Sequence, residues 1–303
     1  MQVTETRAPV TAPIRAVPVR RPGRWISGAI LVLALVWLAR ALATNPRLEW
    51  SVVGDNLTAG PILRGLVTTL ELTVVAMAIG LVLGVLLAIM RLSDNPVARG
   101  FAWAYVGLFR GTPLLVQVIL WYNLSAIFPN LTIGIPGGPD LAVVDVNLLI
   151  TPYAAAILGL GLNEAAYLAE IVRSGISSIS PGQRQAAAAL GLSRRQTMRK
   201  IVLPQAMRVI VPPTGNETIT MLKMTSIVSV IAMHELLYSA QAIYSQTYQT
   251  IPLLIVVSVW YLVVTTLLTV LQSALERRFS RGHTPAGRLS LRSRLAFRPK
   301  ESR

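Results

Sequence analysis

Long apolar runs, each about as long as a bilayer is thick, constrain this chain more than any other feature. A helix needs about 20 mainly apolar residues to cross the hydrocarbon core of a membrane. Only 14% of the residues are charged, and the mean hydropathy is +0.58. We therefore predict an all-α integral membrane protein with six transmembrane helices. They cover residues 25–43, 65–90, 101–126, 148–172, 206–232 and 252–275.

The basic residues predict how the chain is oriented in the membrane. The net charge of +15 could indicate a nucleic-acid binder, but the basic residues concentrate between the apolar runs. Seven of them lie from Arg173 to Arg208 and nine lie in the tail, whereas segments 129–147 and 234–250 contain none. The positive-inside rule places such basic segments in the cytoplasm. We predict disordered, basic, cytoplasmic ends over residues 1–24 and 276–303, and external loops over the two segments that lack basic residues.

The first apolar run has two interpretations. Residues 41–43 read Ala-Leu-Ala, which resembles the cleavage site of a secretory signal peptide. The preceding basic region is long, however, and Arg40 lies directly before that site. We favour an uncleaved span, with the signal peptide as the alternative.

The sequence argues against a metal site and against ATP hydrolysis by this chain. The chain contains no cysteine, and its two histidines, His234 and His283, are far apart in sequence. Neither Lys200, Lys223 nor Lys300 follows a glycine, so the chain has no phosphate-binding loop of the Gly-Lys-Ser/Thr type. We predict that the chain holds no metal or cofactor and hydrolyses no ATP.

Charged residues inside the spans mark the candidate binding site. A charge at mid-bilayer costs about 2.5–3.5 kcal/mol on insertion scales, so these groups must pair or line a water-filled cavity. The alternative, that these charges pair with one another and only fix the packing of the helices, remains open. A cavity with both signs of charge suits a zwitterion. Asn163 and Tyr167 lie within one helical turn of Glu164. The charges are Arg110, Glu164, Glu217 and Lys223.

Two other spans contain local signals. Gly80 and Gly84 form a small-xxx-small pair, which permits close helix packing. Pro113 has no N–H group, so it should break the third span and leave the Phe109 carbonyl without its helical partner.

Residues 173–205 form a long basic loop with the pattern of two short helices. Ser180 with Gln183, and Ser193 with Gln196, have capping-box spacing. Gly191 follows an alanine run, where a helix-ending residue with positive φ belongs. The second helix should end near Pro204. A plain connecting loop is the alternative.

This loop resembles the EAA loop of ABC-transporter permeases, Glu-Ala-Ala, three residues, Gly, nine residues, Ile-x-Leu-Pro. Gln185 stands in place of the usual Glu. The resemblance implies a coupling helix that docks into a groove of an ATP-hydrolysing subunit. The residues that match this coupling pattern are Gln185, Ala186, Ala187, Gly191, Ile201, Leu203 and Pro204.

About three quarters of the chain, from about residue 60 to residue 278, resembles permeases of the polar amino-acid uptake group of ABC importers. Two departures adjoin the candidate cavity: Glu164 stands where many members have Ser, and Met224 where Asp or Asn is common. The matching stretches are residues 64–73, 109–117, 162–171, 203–206 and 213–226. The residues that this resemblance and the charges assign to a substrate cavity are Arg110, Thr112, Asn163, Glu164, Tyr167, Asn216, Glu217 and Lys223.

The resemblance implies a type I importer permease fold in the bacterial cytoplasmic membrane. It implies two permease subunits, two ATPase subunits that bind ATP and Mg²⁺, and an extracytoplasmic solute-binding protein. Two other classes remain open. An ion-coupled secondary transporter would use Glu164 and Glu217 as proton sites, with the break at residues 110–113 as its unwound helix. A structural membrane scaffold would pair the buried charges internally.

Overall fold

The computed structural model describes residues 22–134 and 140–280. The chain divides into two compact units, Met1–Glu49 and Trp50–Arg303. In the first unit, α1 (Pro22–Ala43) is apolar on every side and is followed by a 3₁₀ turn, Pro46–Leu48. Most of the predicted disordered ends lie outside the described residues. The prediction for the tail begins too early, because the last helix continues to Ser280.

The second unit is almost entirely helical, with one small hairpin. It contains α2 (Trp50–Leu57), α3 (Gly60–Arg91), α4 (Pro96–Gly111), α5 (Leu114–Tyr122), α6 (Leu124–Ile127), β1 (Asn130–Gly134), β2 (Asp140–Asp145), α7 (Val146–Leu149), α8 (Pro152–Ser177), α9 (Pro181–Ala189), α10 (Arg194–Thr197), a π-helical turn (Met198–Val202), α11 (Leu203–Met224), a 3₁₀ stretch (Thr225–Ile231), α12 (Leu236–Thr247) and α13 (Thr250–Ser280).

Four described helices are long and apolar enough to cross a membrane, and two bent pairs raise the number to six if each pair forms one span. The pair α4 and α5 is bent by 101°, and the pair formed by Arg194–Ile231 and α12 is bent by 45°. The fold is therefore the predicted all-α membrane class, with four to six crossings. The four helices are Trp25–Ala43, Gly60–Arg91, Pro152–Ser177 and Thr250–Phe279.

Both predicted external loops have regular structure instead. β1 and β2 pair antiparallel within segment 129–147. Segment 234–250 forms α12, which packs on α3 and α13. Leu236 and Ala240 are fully buried there, beside Ile62 and Leu253. The prediction of an external loop used only the absence of Lys and Arg from this segment, and it overlooked the apolar stripe that makes the segment a packed helix.

The main packing contact joins α3 to α8, through glycines. A Cβ atom added at Gly80 would lie 2.7 Å from Glu164 Cγ, and one at Gly84 would lie 2.8 Å from Leu168 Cβ. Both distances are shorter than side chains tolerate, so only glycine permits this approach. The prediction from the small-xxx-small spacing is confirmed. Leu72, together with other buried apolar residues of α3 and α8, fills the centre of the unit.

Gly84→Ala is expected to lower the melting temperature of the detergent-purified protein. The new methyl group meets Leu168 Cβ at 2.8 Å and the Ala165 carbonyl at 3.1 Å, so α3 and α8 must separate. Overpacking of this kind costs about 1–3 kcal/mol, which corresponds to a fall of about 5 °C for a domain of this size. Gly107→Ala is the matched control, because no atom lies within 4 Å of its added Cβ. Equal melting temperatures for the two variants would contradict the packing role.

Candidate functional site

A polar cavity of about 530 Å³ lies where the turn between α4 and α5 faces α8 and α11. Six of the eight residues predicted for the substrate cavity line it together. Its volume falls within the range of about 300–1,000 Å³ that small-molecule sites occupy. These six residues are Arg110, Thr112, Asn163, Glu164, Tyr167 and Glu217.

The break in the third span forms one wall of this cavity. Thr112 and Pro113 both have extended backbone between α4 and α5. Because Pro113 has no N–H group, the Phe109 carbonyl needs another donor. It accepts from Gln117 Nε2 and from Asn163 Nδ2, both at 2.9 Å. The predicted break and the freed carbonyl are confirmed, and side chains supply the partners that the helix lacks.

Glu164 is the most unusual group in the cavity. Its side chain is only 4% exposed, and its Oε1 atom has no hydrogen-bond partner among the described residues. No described basic residue lies within salt-bridge distance of Glu164 or Glu217. A buried carboxylate without a partner is costly. The site therefore contains a buried carboxyl group that has no direct ion pair within the described part of the protein.

Arg110 supplies the positive charge of the cavity. Its guanidinium carbon lies 5.1 Å from the centre of the Tyr167 ring, within cation–π range. This contact holds the guanidinium on the side of α8 that also carries Glu164. Asn163, Glu164 and Tyr167 all face the cavity, as predicted from their spacing.

Two predicted residues, Asn216 and Lys223, lie outside this cavity. Asn216 Oδ1 accepts a hydrogen bond from Gln272 Nε2 at 2.9 Å, and Lys223 is exposed in the last turn of α11. Helical periodicity explains the difference, because the cavity-lining residues of α11 follow one stripe and each of these two lies one residue before a member of it. The lining residues of α11 are Glu217, Thr220, Met221 and Met224.

Sequence reasoning missed the roles of two buried polar residues. Gln117 is 6% exposed and bonds the turn at Pro113, and it is the one polar residue of α5. Glu235 is fully buried at the start of α12, where it accepts from the backbone N–H groups of Leu237 (2.9 Å) and Tyr238 (2.7 Å). A lone polar residue within an apolar helix was the available signal for Gln117.

The predicted coupling loop contains a well-defined helix end. Gly191 has φ of +74°, its N–H donates to the Ala188 carbonyl, and the Leu192 N–H donates to the Ala187 carbonyl, each at 3.0 Å. This is the Schellman pattern, in which a glycine with positive φ ends the helix. The predicted role of Gly191 in the backbone is confirmed.

The capping predictions for this loop are confirmed for the second of its two helices only. Ser193 and Gln196 form the complete capping box. Ser180 makes no side-chain cap, and its carbonyl accepts from the Gln183 N–H at 3.1 Å instead. The second helix also does not end near Pro204. A π-helical turn joins α10 to α11, so Pro204 lies in a first turn, where its missing N–H is tolerated.

The seven predicted coupling residues divide by exposure. Ala187 is buried and holds α9 against the protein, and Ile201 is half-buried. Next to Gly191, Leu190 is 80% exposed, so this surface also carries an apolar side chain. The exposed members are Gln185, Ala186, Gly191, Leu203 and Pro204.

An ion pair joins the end of α3 to α8 near this loop. Glu170 pairs with Arg91 at 3.5 Å and with Arg173 one turn away on α8. Unlike Glu164, Glu170 has direct basic partners, so its charge is satisfied within the protein.

Comparison with known proteins decides the family. Residues 80–281 match the family described as binding-protein-dependent transport system inner membrane component. The chain belongs to this family. It is 44% identical over 275 residues to the arginine transport system permease protein ArgU of Corynebacterium glutamicum, with 90% of this chain and 85% of ArgU covered.

Two further comparisons agree with that membership. The arginine transport system permease protein ArtQ of Bacillus subtilis is 36% identical over 220 residues, which cover 72% of this chain and 91% of ArtQ. A crystal structure described as an amino acid ABC transporter with histidines matches with a TM-score of 0.62 and 37% identity, covering 72% of this chain and 94% of its own.

Membership in this family settles the general function. The protein is a permease subunit of a polar amino-acid ABC importer, a multi-pass protein of the bacterial plasma membrane and not an enzyme. In such systems a separate ATPase subunit binds and hydrolyses the nucleotide, and a solute-binding protein is a further partner. The ion-coupled transporter is not favoured.

Proposed function

We propose that this permease carries cationic amino acids of the arginine class. The buried Oε1 atom of Glu164, which has no described hydrogen-bond partner and belongs to a residue that lines the cavity, is the observation that supports this proposal. A buried carboxyl group without a partner is costly to ionise, and a cationic ligand would favour its charged form and offset that cost. The cavity contains two carboxylates and one guanidinium, which complement a ligand with two positive groups and one negative group.

Each charged residue then has a role in this proposal. Arg110, held over Tyr167, binds the α-carboxylate of the ligand, because guanidinium groups recognise carboxylates with paired hydrogen bonds. Glu164 binds the cationic side chain, and Glu217, across the cavity on α11, binds the α-ammonium. A neutral amino acid would leave Glu164 unpaired.

The relatives support the class without deciding it. ArgU and ArtQ are named for arginine, and a third relative, from Agrobacterium fabrum, is a nopaline permease that is 40% identical over 207 residues. GlnP and GltK of Escherichia coli are named for glutamine and for glutamate and aspartate. The family therefore includes several substrate classes, and the proposal rests on the charges of this cavity.

Equilibrium binding to the detergent-purified complex of the permease with its ATPase partner tests the proposal, with the solute-binding protein left out. Citrulline has the length and shape of arginine but a neutral urea group. We expect citrulline to bind at least about tenfold more weakly, because the buried carboxylate loses its counter-charge. Equal affinity for the two ligands would contradict the cationic class.

We also propose how ATP hydrolysis changes the access of this cavity to the two sides of the membrane. Two permease subunits and two ATPase subunits form the importer, and α9 with Gly191 docks on the ATPase. The exposed Leu190 and Gln185 support such a contact. Closure of the ATPases would move α9 and change the access of the cavity from one side of the membrane to the other. The positive-inside pattern supports a cytoplasmic position for this loop and for both termini.

A further inference from the structure

We infer that Gln117 is a positioning residue that sets the distance between the carboxylate-binding and cation-binding ends of the substrate cavity. The inference rests on the proposed function, which places those ends at Arg110 and Glu164. Gln117 does not line the polar cavity itself. It lies behind the turn at Pro113 and acts through the groups that it binds.

The amide of Gln117 satisfies the backbone that the break exposes. Its Nε2 atom lies 2.9 Å from the Phe109 carbonyl, 3.1 Å from the Thr112 carbonyl and 2.7 Å from Thr112 Oγ1. Its Oε1 atom accepts from Asn163 Nδ2 at 3.2 Å. One buried side chain therefore joins the end of α4 to α8 with both its donor and its acceptor groups.

The break explains why this amide is needed. Thr112 is extended and Pro113 has no N–H group, so the carbonyls of Phe109 and Thr112 cannot bond within the helix. A backbone carbonyl that is left without a donor inside a membrane-spanning segment is costly. Among the described hydrogen bonds outside regular helices, none joins a backbone N–H group to either of these two carbonyl oxygens.

The same network determines where Arg110 lies. Arg110 follows Phe109 directly, and Glu164 follows Asn163 directly, so both charged residues adjoin members of the network. Without the amide of Gln117, the turn can move away from α8 and take the guanidinium with it. The α-carboxylate subsite would shift, whereas Glu164, on the continuous helix α8, would stay in place.

Gln117→Leu in the permease–ATPase complex, without the solute-binding protein, tests this inference with two ligands. Agmatine is arginine without the α-carboxylate, so it lacks the group that we propose to bind Arg110. We expect the dissociation constant for arginine to rise about tenfold, as for a lost buried hydrogen-bonding partner, and that for agmatine to change less than about twofold. Gln117→Glu keeps the shape and the acceptor but loses both donors, and it should give the same pattern.

Gln205→Leu is the matched control, because Gln205 Nε2 also donates to a backbone carbonyl, that of Ile201 at 2.9 Å, but away from the cavity. It should leave both affinities unchanged. Equal losses for arginine and agmatine, unchanged arginine affinity, or failure of both Gln117 variants to assemble would each overturn the inference. A wild-type complex that does not prefer arginine to citrulline would instead contradict the proposed function, whatever the Gln117 variants do.

Discussion

The Glu164→Gln variant is expected to bind arginine about 100-fold more weakly than the wild type, since truncating one member of a buried charge pair costs about 2–5 kcal/mol. The substitution keeps the size of the side chain, so its packing against Gly80 is preserved. It removes the negative charge that we propose to face the guanidinium of the ligand. Citrulline should lose little affinity, because the amide of glutamine can still hydrogen-bond a neutral urea group.

Glu170→Gln provides the control for this experiment. Glu170 lies on the same helix, α8, but pairs with Arg91 and Arg173 near its end and does not line the cavity. We expect its arginine affinity to stay within about twofold of the wild type, the accuracy of additive single-site effects. Both variants are measured by equilibrium binding to the same purified complex. A wild-type affinity for Glu164→Gln would show that Glu164 does not contact the cationic group.

The Gly191→Trp variant is expected to abolish uptake that depends on ATP, to less than about a tenth of the wild-type rate, because a coupling contact acts in every transport cycle. Gly191 has φ of +74°, and residues other than glycine and asparagine adopt such a backbone at a cost of about 1–2 kcal/mol. Its surroundings are open, with no atom within 4 Å of an added Cβ. A tryptophan there fits the permease alone but projects into the surface that we propose to contact the ATPase.

The measurement uses proteoliposomes that contain the whole importer and the loaded solute-binding protein. Basal ATP hydrolysis should continue, whereas its stimulation by the binding protein and the uptake of arginine should both disappear. Gly191→Asn is the matched control, because asparagine accepts positive φ and is small, and it should retain at least about half of the uptake. Normal uptake by the tryptophan variant would refute the coupling role of this loop.

Several elements could be predicted from the chain because their causes are local. Pro113 cannot donate a hydrogen bond in any context, so the break and the free carbonyl of Phe109 followed from one residue type. The positive φ of Gly191 followed from its position after an alanine helix. The limits of the same reasoning appear at Ser180 and Pro204, where the chain had more than one acceptable local geometry.

The candidate site was only partly predictable. Charges in apolar spans identified Arg110, Glu164 and Glu217 as cavity residues. The same argument included Lys223, and the family resemblance included Asn216, although both lie outside the cavity. Their burial cost could not be judged from the sequence, because it depends on which side of α11 faces the neighbouring helices.

The sequence by itself determined that this chain is a helical membrane protein, where its third span breaks and where α9 ends. Those properties depend on the chemistry of single residues and on apolar runs matched to the thickness of a bilayer. Only the tertiary structure decided that Glu164 has no described partner, that Gln117 ties α4 to α8, and that segment 234–250 is a packed helix. These features depend on atoms far apart in the chain, which come together only when the helices pack.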